Sequence, residues 1–388
     1  MCSKVLELYS GIGGVHFAFN KAQLKYEIVF AIDINSKANM TYSANFNQTN
    51  IKSKLIETFT VDQLNKLDFD TLTLSPPCQP FTRLGNYKDD ADLRCKSLHF
   101  IIDIIPQLKI IPKYILLENV KGFEQSKTHQ KLISMLNSLN YHYQEYLLSP
   151  KQFGIPNSRL RYYLIARNYP FKFSNTFEPK EDQEGINKPC TIFKEFPNMI
   201  LEQLLNKFPD NFSGSLNYGN GLVIYKVPSS LAYYLNLDKS QRKSTNKIRD
   251  NTLNNISLNI DETYNLEAET LAKYINVIDL VYPSDNHSCC FTKGYGRLFK
   301  YSGSFLIIDN TSQNDIKENL KNGKDKMDIY GVDYRIRYFK PMEIARLMGF
   351  PSDFTIPEGL TRRQIYSLLG NSVSVDVVAI MLYIMIKL

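Results

Sequence analysis

Four side chains in this sequence have the types and settings that covalent chemistry needs. Cys78 lies in the run Ser75-Pro76-Pro77-Cys78-Gln79-Pro80-Phe81. Three prolines there forbid both a continuing helix and a regular strand ladder. The apolar run before it, residues 69–74, reads as a buried strand, so Cys78 sits on a stiff turn just past a strand's carboxyl end. In open α/β sheets that rim is where ligands bind. Read alone, Cys78 is first of all a structural thiol, because free cysteines are among the most buried residues. Glu118 closes another apolar run, Lys113-Tyr114-Ile115-Leu116-Leu117. It belongs to the same rim, either as a surface carboxylate or as a partly buried one with a raised pKa. Arg159 and Arg161 share one face if residues 153–166 form a strand. Paired guanidinium groups suit a phosphate or a base carbonyl; a solvated strand face is the alternative.

A second group of residues could hold a small ligand. Lys4-Val5-Leu6-Glu7-Leu8-Tyr9 reads as a strand, Ser10-Gly11-Ile12-Gly13-Gly14 as a tight turn, and Val15-His16-Phe17-Ala18-Phe19 as the start of a helix. Glycines let a backbone approach a ligand closely. His16 takes the place of a third glycine, so the spacing is not that of a dinucleotide fingerprint. It suits an adenosyl ligand without a pyrophosphate, or an ordinary glycine-rich turn. Asp33 ends the next strand, about twenty residues further on, where an acid accepts hydrogen bonds from ribose hydroxyls. It could equally cap the helix that begins near Asn35.

These residues must be positioned by alternating elements. Strand, helix, strand, helix, strand through residue 74 implies a parallel sheet. Helices are expected at residues 98–108 and 131–139, with a strand at 141–147. Residues 83–90 form a polar loop that could act as a lid. From about residue 178 to 288 the sequence turns rich in Asn, Lys and Tyr and loses periodicity. Two polar basic tracts, 244–249 and 317–326, read as solvated loops. A helix with proline in its first turn follows at residues 341–349, then another at 361–369 that ends in Gly370-Asn371-Ser372. Residues 373–388 read as a buried helix, or a helix and a strand, too short to span a bilayer.

The bulk composition is that of a globular protein: 388 residues, 43% hydrophobic and 22% charged. A net charge of +7 permits a polyanionic partner without requiring one. The six cysteines form no C-x-x-C pair or zinc spacing, which favours a reducing compartment and implies no metal. No signal peptide is expected.

In order along the chain, Glu7-Leu8-Tyr9-Ser10-Gly11-Ile12-Gly13-Gly14, the Pro-Pro-Cys-Gln-Pro turn, Glu118-Asn119-Val120, Arg159-x-Arg161 and Gly370-Asn371-Ser372 resemble the motifs of the cytosine-C5 methyltransferases. Within that superfamily, Cys290-Phe291-Thr292, the run Leu117-Glu118-Asn119-Val120-Lys121-Gly122-Phe123-Glu124, and Asn157, where most DNA enzymes of the class have Gln, resemble the branch that methylates cytosine 38 of aspartate tRNA. The resemblance implies a Rossmann-like methyltransferase sheet with helices on both faces and a smaller target-recognition domain. Residues 1–177 would form the first part of the catalytic domain and 178–335 the target-recognition domain, with 336–388 returning to the catalytic domain. S-adenosylmethionine would be the cofactor, held by Ile12, Gly13, Gly14, Asp33, Ile34, Ile56, Glu57, Ser75, Asn371 and Ser372. Cys78 would be the nucleophile, Glu118 the group on the N3 and amino edge of the base, and Arg159 and Arg161 the residues on its carbonyl or phosphate. The expected partner is tRNA, foremost aspartate tRNA, with DNA a weak second substrate. The protein would be a monomer, cytoplasmic with access to the nucleus, and would not engage a membrane. A DNA methyltransferase is the nearest rival, and a catalytically silent cofactor- or RNA-binding protein the rival from another class.

Overall fold

The computed structural model describes residues 2–77, 95–171, 192–196, 198–211, 216–218, 222–224, 226, 229–235, 261–308 and 335–388. Cys78, the polar loop 83–90 and the basic tracts 244–249 and 317–326 lie outside the described residues.

Seven strands make one sheet: β1 (Ser3–Leu8), β2 (Tyr26–Ile32), β3 (Ile51–Lys52), β4 (Thr71–Leu74), β5 (Tyr114–Val120), β6 (His142–Leu148) and β7 (Arg161–Arg167). Their spatial order is β3-β2-β1-β4-β5-β7-β6. The first five pair in parallel, but β7 runs antiparallel to both of its neighbours. The sheet is therefore mixed rather than wholly parallel. The reason is local: the link from β6 to β7 contains only a single 3-10 turn, Pro150–Gln152, and no crossover helix. A parallel return needs such a helix. Strand order reverses between β1 and β4, which opens a crevice at their carboxyl ends.

Helices cover both faces. Helices α1 (Gly14–Lys21) and α2 (Ser36–Asn45) contribute to one apolar cluster; α3 (Val61–Asn65), α4 (Lys96–Ile104) and α5 (Lys127–Ser138) contribute to the other. Beyond the sheet come α6 (Asn198–Lys207), the hairpin β8 (Leu216–Tyr218) and β9 (Leu222–Ile224), and α7 (Ala268–Tyr274). A three-stranded sheet follows, built from β10 (Asp279–Val281), β11 (Ser304–Ile307) and β12 (Ile336–Tyr338). Residues 193–208 lean on the large sheet: Phe193 pairs with the edge of β6, and Phe196 packs on Tyr146 and Phe153. The first apolar cluster is continuous through to Phe305 and Ile336 of the small sheet.

The chain ends with α8 (Pro341–Leu347), α9 (Arg362–Asn371) and α10 (Val375–Lys387). Helix α10 is almost wholly buried and packs on α1, β5 and β7. Taken together, α9 and α10 (Arg362–Lys387) have the length and apolarity of a membrane span, yet 83% of the most apolar window is buried inside the protein; α10 alone is the short buried helix expected from residues 373–388. The return of this segment leaves little space. A Cβ on Gly14 would stand 2.7 Å from Val373 Cγ2 and 3.1 Å from Ser372 Oγ. A Cβ on Gly370 would overlap the backbone of Thr292 and Lys293.

Beneath the glycine turn lies a buried polar trio. Tyr42 donates its hydroxyl to Glu7 Oε2 at 2.7 Å, and His16 Nδ1 lies 2.9 Å from that hydroxyl. The His16 ring stacks on Phe46 with centroids 3.5 Å apart. Glu7 Oε1 is buried without a partner. Burial pushes the Glu7 carboxyl up to about 8, against the Tyr42 hydrogen bond, and pushes His16 down to about 4.

Two outcomes follow from these contacts. Gly370→Ala forces a methyl group into main chain that cannot yield, so it should cost roughly 1–3 kcal/mol. Differential scanning calorimetry should show a midpoint lower by several degrees; an unchanged midpoint would contradict the close packing. Folded Glu7 keeps its proton up to about pH 8, whereas the unfolded chain releases it near 4.5. Between those limits the folded state binds the extra proton, so this group lowers stability as pH rises. Glu7→Gln should match the parent in urea unfolding near about pH 5 and exceed it near about pH 9. Parallel stability curves for the two proteins would rule out a buried, proton-holding Glu7.

Candidate active site

Strand register assembles the rim. Leu8 of β1 pairs with Leu74 of β4, Leu74 with Leu117 of β5, and Leu117 with Leu164 of β7. The glycine turn and the start of the proline-rich run therefore leave the sheet at one level, and Glu118 stands at that level within β5. Cys78 comes three residues after half-buried Ser75.

The glycine turn needs unusual backbone. Tyr9, Gly11 and Gly13 have φ of 58°, 54° and 85°, the left-handed region where glycine carries no steric cost. Gly11 N–H donates to Asp33 Oδ2 at 2.9 Å, and Asn35 N–H donates to Asp33 Oδ1 at 2.8 Å. The helix cap is Asn35, whose side chain accepts from Lys37 and Ala38. Asp33 is thereby left to join the ends of β1 and β2. Burial raises its pKa, and the two amide hydrogen bonds oppose that shift. Next to it, Ile34 is 65% exposed, an apolar side chain at an otherwise polar rim.

No side chain caps α1 at Gly13, so its first amides and the helix dipole face the rim. Ser372 is buried with its hydroxyl towards Gly14, while Asn371 is exposed. Ile56 is buried at the start of a 3-10 turn and Glu57 is exposed within it. A ligand with ribose hydroxyls, a flat apolar ring and a carboxylate fits this donor and acceptor set. Asp33 would take the hydroxyls, Ile34 the ring, and the start of α1 the carboxylate.

Glu118 lies inside β5 rather than after its end, because Tyr162 and Arg161 of β7 continue the pairing through Asn119 and Val120. It is buried, with Oε1 unpartnered, and Arg161 Nε stands 3.6 Å away. Burial raises its pKa, opposed by the charges of Arg161 and Arg159. Such a carboxyl holds its proton more tightly than an ordinary glutamate. It can offer both a donor and an acceptor to a heterocycle edge.

The arginines do not share a strand face. β7 starts at Arg161, and the irregular stretch before it contains Gly154 at φ 81° and Pro156. Arg159 is 3% exposed; its Nη1 and Nη2 donate to main-chain carbonyls, Phe291 at 3.2 Å, Gly370 at 3.3 Å, and Ser372, while its buried Nε has no hydrogen-bond partner. Arg161 stays near Glu118, with Nη1 on the Leu160 carbonyl at 2.9 Å.

Two residues near these groups carried no role in the sequence analysis. Tyr163 sits opposite Glu118 in the β5–β7 pairing, fully buried, with its hydroxyl unpartnered. Alternation two residues past Arg161 could have signalled it. The Cys290 Sγ lies 3.6 Å from Arg159 Nη1 and 3.7 Å from Arg161 Nη2. Burial pushes this thiol up, but the two arginines together outweigh it and the net shift is downward. Its only sequence signal was the Cys290-Phe291-Thr292 motif.

Comparison with known proteins agrees with this geometry. A human tRNA (cytosine(38)-C(5))-methyltransferase is 39% identical over 97% of this chain and 97% of its own. A DNA (cytosine-5)-methyltransferase of Dictyostelium discoideum is 33% identical over 99% of this chain and 94% of its own. The solved DNMT2 of Spodoptera frugiperda superimposes with a TM-score of 0.74 at 33% identity, covering 99% of this chain and all of the other. The model of the C-5 cytosine-specific DNA methylases matches residues 3–387, and the chain belongs to that family.

Proposed function

We propose that the protein methylates C5 of cytosine 38 in the anticodon loop of tRNA, with aspartate tRNA as its foremost substrate and DNA a weak one. The observation that carries the C5 chemistry is Glu118: a buried carboxyl whose Oε1 accepts no hydrogen bond and has the Arg161 guanidinium 3.6 Å away, on the rim that leads to Cys78. RNA is favoured by the human relative, which matches along nearly the whole of both chains, and by Asn157.

Cytosine C5 is a poor nucleophile. A Cys78 thiolate adding to C6 forms an S–C6 bond and pushes the electron pair towards C5. Glu118 hydrogen-bonds N3 and the amino group and stabilises the charge that develops there. Arg161 takes the O2 carbonyl. Both terminal nitrogens of Arg159 are on main-chain carbonyls, so we assign it to holding the site together rather than to the base. Bound S-adenosylmethionine, the donor that family membership implies, supplies an electrophilic methyl group. Transfer of that methyl to C5 would break its bond to the sulfonium and leave S-adenosylhomocysteine; loss of the C5 proton to a base would then restore the C5–C6 double bond as the S–C6 bond breaks and frees the Cys78 thiolate. The target base must leave its stack, which costs less in a loop than in a duplex.

The proposed domains are residues 1–177 and 336–388 for catalysis and 178–335 for target recognition. The protein would act as a monomer in the cytoplasm, with access to the nucleus; sedimentation and cell fractionation test these two points.

A DNA reading keeps some support from the Dictyostelium relative. Labelled methyl transfer to total tRNA and to duplex DNA, run in parallel, separates the two. Label should enter tRNA and map to cytosine 38. Cys78→Ala should abolish it while leaving cofactor binding by calorimetry intact. Glu118→Gln should lower kcat about 100-fold or more, with RNA affinity within about twofold. Label in DNA alone would move the assignment to the DNA enzyme. Cofactor binding without label in either would leave a binding protein.

A further inference from the structure

The segment that follows Cys290 is a turn-rich loop, buried at Phe291 and Tyr295 and exposed from Gly296 to Leu298 and at Lys300 and Tyr301. Between Asp285 and Asp309 it carries Lys293, Arg297 and Lys300 and no acid. All three cations are exposed. The loop is tied at its base, where Thr292 N–H donates to the Ser302 carbonyl at 2.9 Å and Ser302 Oγ donates to the Leu298 carbonyl. A turn holds its near side, with Arg297 and Leu298 amides on the Gly294 carbonyl at 3.0 and 2.8 Å.

Aromatic rings alternate with the cations. The Tyr274 ring of α7 stacks on Phe299, with centroids 4.2 Å apart and planes 13° from parallel. Lys273 Nζ lies 5.2 Å over Tyr274, and Lys300 Nζ lies 5.0 Å over Tyr301. Tyr301 is 83% exposed and sits at φ 58°. Left-handed backbone is sterically costly for a bulky residue, and here it holds a large ring out from the surface. A core or a fold has no use for that ring. A nucleobase does, because every base has a π-face to stack and nearby cations pair with its phosphates.

We propose that Tyr301, with Lys300 and Arg297, is a stacking platform for a nucleotide flanking the target base in a splayed RNA loop. The proposal rests on the RNA reading of the catalytic site. The placement fits it: Tyr301 precedes Ser302, whose carbonyl bonds Thr292, two residues past Cys290 on Arg159 and Arg161. At about 3.8 Å per residue step, that path keeps the ring within a few nucleotides of the base held at Arg161. A duplex hides its base faces, so the platform also selects a single-stranded loop.

The test uses the full chain and a synthetic anticodon stem-loop carrying the target cytosine, with affinity read by fluorescence anisotropy and methyl transfer read alongside. Tyr301→Ala should weaken binding and raise KM roughly tenfold. Its kcat at saturating RNA and its affinity for S-adenosylmethionine should match the parent. Tyr301→Phe keeps the π-face and should stay within about twofold of the parent. Lys300→Ala should reduce the slope of log affinity against log salt by about 1. Parent-like RNA affinity for Tyr301→Ala, in a protein that methylates the stem-loop, would overturn the platform and leave the proposed function standing. If the parent protein neither binds nor methylates RNA, both readings fall together.

Discussion

Arg159 is a cation buried where water cannot reach it, and the catalytic site is built around satisfying it. Removing a guanidinium group from water is affordable only when its donors find acceptors. Here the carbonyls of Phe291, Gly370 and Ser372 take the donors of Nη1 and Nη2, and only Nε is left without a hydrogen bond. Those residues lie 132, 211 and 213 positions away in the sequence. A planar fork with fixed donor directions is well suited to this task, and a lysine, with one point charge, is not. One side chain thus joins the large sheet, the segment after Cys290 and the junction between α9 and α10. Ser372, held by its carbonyl, then stands against Gly14 at the mouth of the ligand turn.

The same cation takes part in the electrostatics of the reaction centre. Glu118 is raised by burial and lowered by Arg161 and Arg159. Cys290 is raised by burial and lowered more strongly by the same pair. Two acids and two cations share one partly dry cluster, and each charge state depends on the others. Arg159 cannot move without exposing Phe291 and Gly370 carbonyls, so the field it contributes at Glu118 is fixed before substrate arrives. Preorganised charge of this kind costs no rearrangement during the reaction. Arg161 stands 3.6 Å from Glu118, which suits a group that meets the base.

Much of this was legible in the residues, and the failures have physical reasons. The glycine turn could be read because only a few residue types tolerate positive φ, and Gly11 and Gly13 stand where it is needed. Asp33 could be placed at the rim because a strand's end fixes the direction of the next residue. Asn35, not Asp33, caps α2, a distinction made by the Gly11 amide that claims Asp33 from another strand. Glu118 reads as the carboxylate at its strand's carboxyl end because the apolar run stops at Leu117. The strand continues because β7 offers partners, and pairing with a distant segment leaves no local mark. The shared face for Arg159 and Arg161 assumed a strand through Pro156, where proline and a left-handed Gly154 break the ladder. The acceptors that decide the role of Arg159 lie so far along the chain that no pattern in residues 153–166 could show them.

The order in which these contacts form follows from their separations. The pairing of β1, β2 and β4 closes over at most 66 positions, whereas the Arg159 fork reaches 213 and the packing of α10 on α1 needs the chain's end. Contacts of large sequence separation pay their loop entropy late. The glycine turn and the sheet rim can therefore exist before the site does, and the site appears only when α9 and α10 dock. Docking places Ser372 beside the turn and closes Gly370 onto Thr292 and Lys293 in one step. A ligand bound at the turn favours the docked state by mass action, since that state alone completes its pocket. Because Gly370 rests on the start of the Lys293–Tyr301 loop, the same docking also fixes the base of that loop.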